Sequence, residues 1–324
     1  MLGHYAILLE SALSGEFLPA SEDSQSDLRS WHPEGRDLPS LFRSADSNST
    51  EAQKIFFRVM RLRLIALIVA AVAAVGSWSV SDVEILAVCA SLAFAGALAS
   101  GIYLTTGQLE KNWYEGRAAA ESVKTLMWRY MVGGAPLSKI NQNGSETDEI
   151  LLDRYKEIVR DFPGLYLSPT SGPASQITHF MRRLRSMPLE ERKRSYLRGR
   201  IINQLAWYGN RSAYNKSRAV LWAYFLVGAE FAGMSAGIFR AAGILDVDVM
   251  GVIAAVAAGG VAWVQAKQHQ SLAAAYSVTY HELSIISEGL AKVSSEGQWA
   301  IYVASAEDAI SREHTLWRAS RMHA

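Results

Sequence analysis

Two apolar blocks constrain this chain more than any other feature. They run from Leu62 to Leu104 and from Ala219 to Ala266, and each divides around a short acidic break. The segments are Leu62–Val80 and Ile85–Leu104 on either side of "SDVE", then Ala219–Phe239 and Val249–Ala266 on either side of a loop holding Asp246 and Asp248. A hydrocarbon core of about 30 Å needs about 20 apolar helical residues, and each segment has that length. Helices of a soluble bundle carry one polar face, and these carry none. The expected fold class is an all-α membrane protein with four transmembrane helices in two same-orientation hairpins, extended by long cytoplasmic amphipathic helices.

Lys and Arg near the span ends set the orientation. Lys54, Arg58, Arg61, Arg63, Lys111 and Arg117 lie on the side of the termini, as do Lys124, Arg200, Arg211, Lys216, Arg218 and Lys267; the two turns hold only Arg240. Both termini and the central segment are therefore expected in the cytoplasm. Across 324 residues the net charge is only +1, which recommends neither direct nucleic-acid binding nor an acidic substrate. A single cysteine, Cys89, excludes a disulfide within the chain. The start "MLGHYAILLESALSG" has no basic stretch and is interrupted by Glu10, unlike a cleaved signal peptide.

The expected organisation is an acidic, largely disordered segment 1–36, a first two-transmembrane domain 37–162 (spans 62–80 and 85–104), a Pro/Gly linker 163–173, and a second such domain 174–324 (spans 219–239 and 249–266). "QKIFF" before the first hairpin and "QLAWY" before the second outline a duplication, with one extra helical turn after the second motif. Past each exit span a heptad-like stripe follows: Leu109, Trp113, Val123 and Met127 in the first domain, Leu272, Tyr276, Leu283 and Ile286 in the second. The stripes suit packing within one subunit or a seam between subunits. Without proline, each exit span is expected to continue as one helix, about 70 Å from Ile85 to Met131 at 1.5 Å per residue.

Glu230 sits near the middle of the third span. A charge there costs about 3 kcal/mol on insertion scales, so it should face protein or water, or stay protonated. Small residues surround it in two rows, Gly228, Ala232 and Ala236, and Ala229, Gly233 and Gly237. Either Glu230 lines a conducting path in an oligomer, where a ring of carboxylates favours cations, or it bonds a neighbouring helix. Ser235 joins Ser77, Ser79, Ser91 and Ser100 as hydroxyls suited to bonding their own backbone. Gly259 and Gly260 permit a bend or a close crossing in the fourth span. Trp113, Trp128, Trp207 and Trp317 suit helix packing better than an aromatic ligand pocket. No catalytic, cofactor-binding or metal-binding pattern is present: His281-Glu282 and Glu313-His314 lack zinc-protease spacing, so no enzyme and no cofactor are expected.

Several separated patches resemble a known family. "LPSLFRSADSNSTEAQKIFF" and "WYEGRAAAESVKTLMWRYM" around the first hairpin resemble one subfamily of the SLATT domains, the two-transmembrane effectors associated with SMODS and SLOG proteins; "YLRGRIINQLAWYGNRSAYNKSRAVLW" and "AEDAISREHTLWRAS" resemble another. The resemblance implies two fused SLATT domains acting as a pore-forming or channel-like effector of a bacterial conflict system, an anti-phage or abortive-infection device. With no sensor of its own, the chain is expected to answer to a sensor or nucleotide-synthase partner encoded nearby, to form a homo-oligomer, and to reside in the bacterial inner membrane. A non-conducting scaffold that recruits soluble partners through its cytoplasmic helices is the alternative.

Overall fold

The computed structural model describes residues 33–76, 79–80, 83–139, 144–169, 174–245, 247–290 and 292–322. Most of the acidic N-terminal segment, part of the 163–173 linker, Ser77, Ser81, Asp82 and Asp246 lie outside the described residues. The described residues are almost entirely helical: α1 (Ser40–Ala73), a two-stranded ribbon β1 (Ser79–Val80) and β2 (Val83–Glu84), α2 (Ile85–Thr106), α3 (Leu109–Val132) and α4 (Gly144–Asp161). Then come α5 (His179–Ser186), α6 (Leu189–Tyr196), a π-helical turn (Leu197–Ile202), α7 (Asn203–Ala241), α8 (Val249–Lys267), α9 (His269–Leu290) and α10 (Glu296–Met322).

Both halves share one plan. A long helix enters the apolar region, a short turn leads back along it, and a helix beyond the apolar stretch packs on the first: α1 with α2 and α3, α7 with α8 and α9. Helices long and apolar enough to cross a membrane lie within Ile85–Val132, Leu189–Ala241 and Val249–Leu290, and only 17%, 0% and 6% of their most apolar windows is buried. A soluble bundle would cover those windows. Here Leu62, Ile65, Leu92, Leu98 and Phe231 stand 58–68% exposed, the surface of a protein whose solvent is lipid.

The first expected span, Leu62–Val80, is not among those three helices. α1 ends at Ala73, and any 18-residue stretch reaching that end includes Arg58, Arg61 and Arg63. From Leu62 to Ala73 the helix covers about 18 Å at 1.5 Å per residue, short of the hydrocarbon thickness. β-branched Val80 and Val83 favour the extended ribbon, in which Ser79 faces Glu84 and Val80 faces Val83.

The expected continuous exit helices are also broken. Between α2 and α3, Gln108 adopts a left-handed backbone at φ 46°, and Gln268 does so between α8 and α9 at φ 50°. Each glutamine carbonyl opens the next helix, accepting from Asn112 N at 2.9 Å and from Leu272 N at 3.0 Å. A left-handed non-glycine residue costs about 1–2 kcal/mol, so two at equivalent places reflect a shared need to redirect the chain where it leaves the apolar region.

Away from the apolar region the two halves share one core. Val123, Met127, Trp128, Tyr196, Trp299 and Val303 are buried together, joining α3, α6 and α10. Pro39 cannot cap α1 with a side chain, so the caps come from elsewhere: Ser40 N donates to Ser175 O at 3.0 Å and Leu41 N to Gln176 Oε1 at 3.2 Å. Thr178, the N-cap of α5, donates to Asp37 O at 2.8 Å.

Candidate functional site

In the apolar region, α8 lies between α7 and α1. A β-carbon on Gly260 would stand 3.0 Å from Leu226 and 3.3 Å from Phe225 of α7, and one on Gly259 would stand 3.7 Å from Ile68 of α1. Gly260 thus serves a close crossing, Gly259 sits at ordinary contact distance, and α8 runs through both without a break. On α7 the two small rows separate. Gly233 and Gly237 face Ile253 and Met250 of α8, whereas Gly228 and Ala232 open onto a shallow apolar groove; Ala229 borders it, and Ala236 is half-buried. Ser235 donates to Phe231 O at 2.9 Å, Ser91 to Ala87 O and Ser100 to Gly96 O at 2.8 Å, so these hydroxyls satisfy themselves on their own helices. The side chains of Ser77 and Ser79 lie outside the described residues.

Glu230 is exposed, about 160° around α7 from Ala232 at 100° per residue. Its neighbours on that side are lipid-like: Val227, Phe231 and Met234 are 63%, 66% and 56% exposed. No hydrogen bond or ion pair reaches its carboxyl among the described residues. In the last turn of α7, Arg240 lies 2.5 Å from Asp248, which also caps α8 by accepting from Gly251 N. The hydrogen bond from Arg240 holds the Asp248 carboxyl below the usual carboxylate range, and the one basic residue of this turn is matched.

The expected seam is largely covered within the chain. Leu109, Trp113, Val123 and Met127 are buried, as is Leu283, while Leu272, Tyr276 and Ile286 are half-buried. The uncovered apolar side chains of the second domain's outer helices are others: Val278 and Ile285 on α9, Ile301 and Tyr302 on α10.

Between the two halves, where they leave the apolar region, lies a cleft of about 610 Å³. One wall is a stripe along α7: Trp207, Arg211, Tyr214, Arg218 and Trp222 recur at four- and three-residue steps. Arg211 sits over the Trp207 ring at 5.8 Å and Arg218 over the Tyr214 ring at 5.3 Å, so each guanidinium rests on an aromatic face. The facing wall comes from the first half, with Ser49, Gln53 and Phe57 on α1 and Trp113 and Arg117 on α3. At the membrane end Lys267 Nζ reaches across to 3.5 Å from the Phe57 ring centre, and Trp263 meets the same ring edge-on at 5.8 Å. His269 Nδ1 lies 2.7 Å from Asn215 Oδ1 behind the wall. Of the four tryptophans considered above, Trp113 and Trp207 border this cleft, Trp128 is buried in the core, and the side chain of Trp317 lies outside the described residues.

A second polar cluster sits deep in the shared core. Glu307 on α10 is fully buried and accepts from Arg200 Nη2 at 2.8 Å and Nε at 3.1 Å, from Tyr196 Oη at 2.9 Å and from Thr125 Oγ1 at 3.1 Å. Arg200 belongs to the π-helical turn, a distortion that recurs at functional sites. Its Nη1 is buried without a hydrogen-bond partner. Three elements from both halves thus meet on one carboxylate.

Residues 39–193 match the family described as SMODS and SLOG-associating 2TM effector domain 3, and residues 196–317 match SMODS and SLOG-associating 2TM effector domain 1. The chain belongs to the SLATT family. It fuses two SLATT domains of different subfamilies, each a two-transmembrane effector domain, and is a membrane protein. No curated protein and no solved structure matches it significantly.

The first SLATT match runs through the 163–173 segment and takes in Ser175 and Gln176, the residues that cap α1. The cleft thus has one wall from each SLATT domain, and Glu307 of the second touches Thr125 of the first. Arg211 and Arg218 enter the sequence reading only as markers of orientation. Their alternation with Trp207, Tyr214 and Trp222 is the signal that distinguishes them from ordinary interfacial charges. Nothing local announces Arg200 with Glu307, since 107 residues separate them.

Proposed function

We propose that the chain is a four-span, pore-forming or channel-like membrane effector of a bacterial conflict system. It acts as a homo-oligomer in the inner membrane with both termini cytoplasmic, has no enzymatic chemistry, and answers to a sensor or nucleotide-synthase partner. α1 supplies the fourth crossing, its short apolar length extended by the aliphatic stems of Arg61 and Arg63 reaching toward the head groups. Both hairpins enter from the cytoplasmic side.

The observation that carries the reading is Glu230. A carboxyl exposed among Val227, Phe231 and Met234 would face hydrocarbon in a single chain, at about 3 kcal/mol on insertion scales. Four helices enclose no lumen of useful width, so further copies must cover Glu230 or surround it with water. Rearrangement of the helices beyond the breaks at Gln108 and Gln268 then hydrates an apolar constriction.

Ion flux into liposomes and single-channel recording on the purified chain, with and without its neighbouring sensor, test this. Glu230→Gln is expected to reduce cation preference while leaving assembly intact. An oligomer that conducts in neither condition refutes the pore. The scaffold reading is favoured by exposed Ile285 and Ile301 and requires partner binding that Glu230→Gln leaves unchanged.

A further inference from the structure

The cleft between the two SLATT domains has no function in the pore as described, and its chemistry is one-sided. Cations enter it from both domains: Arg117 from the first, Arg211, Arg218 and Lys267 from the second. Among the described residues no carboxylate lines it. Arg117 is matched by Glu121 at 3.1 Å, whereas Arg211, Arg218 and Lys267 make no ion pair among the described residues. A mere belt of interfacial charges would fan outward along the bilayer. Here they converge on one half-open cleft, and Lys267 lies on a ring of the opposite domain.

Geometry narrows the anion. Arg211 and Arg218 are seven residues apart on one helix face, about 10 Å at 1.5 Å per residue, and each is oriented by the ring beneath it. Planar guanidinium groups pair bidentately with carboxylate or phosphate oxygens, and several converging on one space call for a group with more than one negative charge. Ser49, Thr50 and Gln53 add hydroxyl and amide groups on the opposite wall. The volume lies within the range of about 300–1,000 Å³ typical of metabolite pockets.

We infer that this cleft binds a phosphate-bearing anion held between Arg211 and Arg218 of the second domain and the α1–α3 wall of the first. The phosphate belongs either to a soluble ester entering from water or to an anionic lipid head group entering from the bilayer, since the cleft opens where the chain leaves the apolar region. A ligand touching both walls fixes the spacing of the two domains. The inference is independent of conduction.

The experiment uses the full chain in nanodiscs, followed by tryptophan fluorescence, since Trp113, Trp207, Trp222 and Trp263 border the site. In phosphatidylcholine discs the probes are inorganic pyrophosphate and ATP; in a second arm, discs of equimolar phosphatidylcholine and phosphatidylglycerol are compared without soluble probe, with retained lipid read by native mass spectrometry. The test variant is Arg211→Gln with Arg218→Gln, both exposed side chains, and the control is Arg154→Gln with Lys156→Gln, which removes the same charge from α4. Saturable, salt-sensitive binding of pyrophosphate or ATP that weakens at least tenfold in the test variant only supports a soluble ester. Variant-dependent retention of phosphatidylglycerol alone supports a lipid head group. If neither probe depends on Arg211 and Arg218, or the control weakens binding equally, the site does not exist. Circular dichroism and size exclusion verify that both variants fold.

Discussion

Replacing Glu307 by glutamine isolates the electrostatic part of the shared core while preserving its shape. The carboxylate accepts four hydrogen bonds, two of them from Arg200, and neither side chain of the pair is more than 1% exposed. Removing one charge from such a pair leaves the other buried without compensation, which costs about 3–5 kcal/mol. With an unfolding entropy of about 2.1 cal/mol/K per residue, a chain of 324 residues shifts by about 1.5 °C per kcal/mol, so the transition should fall by roughly 4–7 °C. Thermal unfolding in detergent, followed by tryptophan fluorescence, reads this region directly, because Trp128 and Trp299 each stack edge-on with Tyr196 at 5.8 Å. Asp308→Asn is the matched control: Asp308 pairs with Arg129 at 2.5 Å but is 64% exposed, and exposed pairs contribute about 0–1 kcal/mol. Replacing the buried pair together, Arg200→Met with Glu307→Leu, should recover most of the loss, less about 1 kcal/mol for each hydroxyl left unbonded at Thr125 and Tyr196. A Glu307→Gln shift no larger than that of Asp308→Asn would refute the reasoning.

Gly133 ends α3 with φ 80°, and a β-carbon there would stand 2.7 Å from Arg192 Nη1. Gly133→Ala should therefore destabilise by more than the roughly 1 kcal/mol of left-handed strain, whereas Gly144→Ala, with open space around it, should stay within about 0.5 kcal/mol; denaturant titration compares them. Gly260→Val should separate α8 from α7, lowering the fraction of chain that survives detergent extraction as a folded species; retention equal to wild type counts against the close crossing. Phe57→Ala removes the ring beneath Lys267 and beside Trp113 and Trp263, and is expected to cost about 3–5 kcal/mol with a change in tryptophan emission; an unchanged spectrum means these rings do not meet.

Apolar runs announce helices because lipid tolerates no unpaired backbone, so α2, the apolar half of α7, and α8 were legible from composition alone. The end of the first span was not. Leu62–Val80 reads as one apolar run, yet the helix stops at Ala73, since hydropathy does not register where helix gives way to ribbon. The breaks at Gln108 and Gln268 were hidden to different degrees. Gly107, the C-cap of α2, stands beside the first break, but at the second a glutamine held left-handed by the packing of two helices leaves no local mark. Heptad spacing identified the buried face of α3 without saying what buries it. The cleft was half legible: every residue of the Trp207–Trp222 stripe could be placed on one face of a helix, but the opposing wall is a tertiary fact.

The duplication does not make two independent modules. The C-terminal carbonyls of α3, in the first domain, need partners because a helix leaves its last four unsatisfied. Tyr130 O accepts from Arg185 at 2.6 Å, and Val132 O accepts from Arg192 at 2.5 Å and from the Trp299 indole at 2.7 Å. Arg185 and Arg192 fall within the first family match, but Trp299 and Glu296, the ion-pair partner of Arg192, fall in the second. Guanidinium groups at a helix C-terminus also meet the negative end of its dipole. Ala135 N donates to Ala300 O at 2.9 Å, adding a backbone bond between the domains. Cutting the chain between the matches would thus strip α3 of its indole cap, this backbone bond and the Thr125–Glu307 contact together. The interface is asymmetric: the first match supplies the α3 carbonyls and Arg192, and the second supplies the Trp299 indole and Glu296 that answer them.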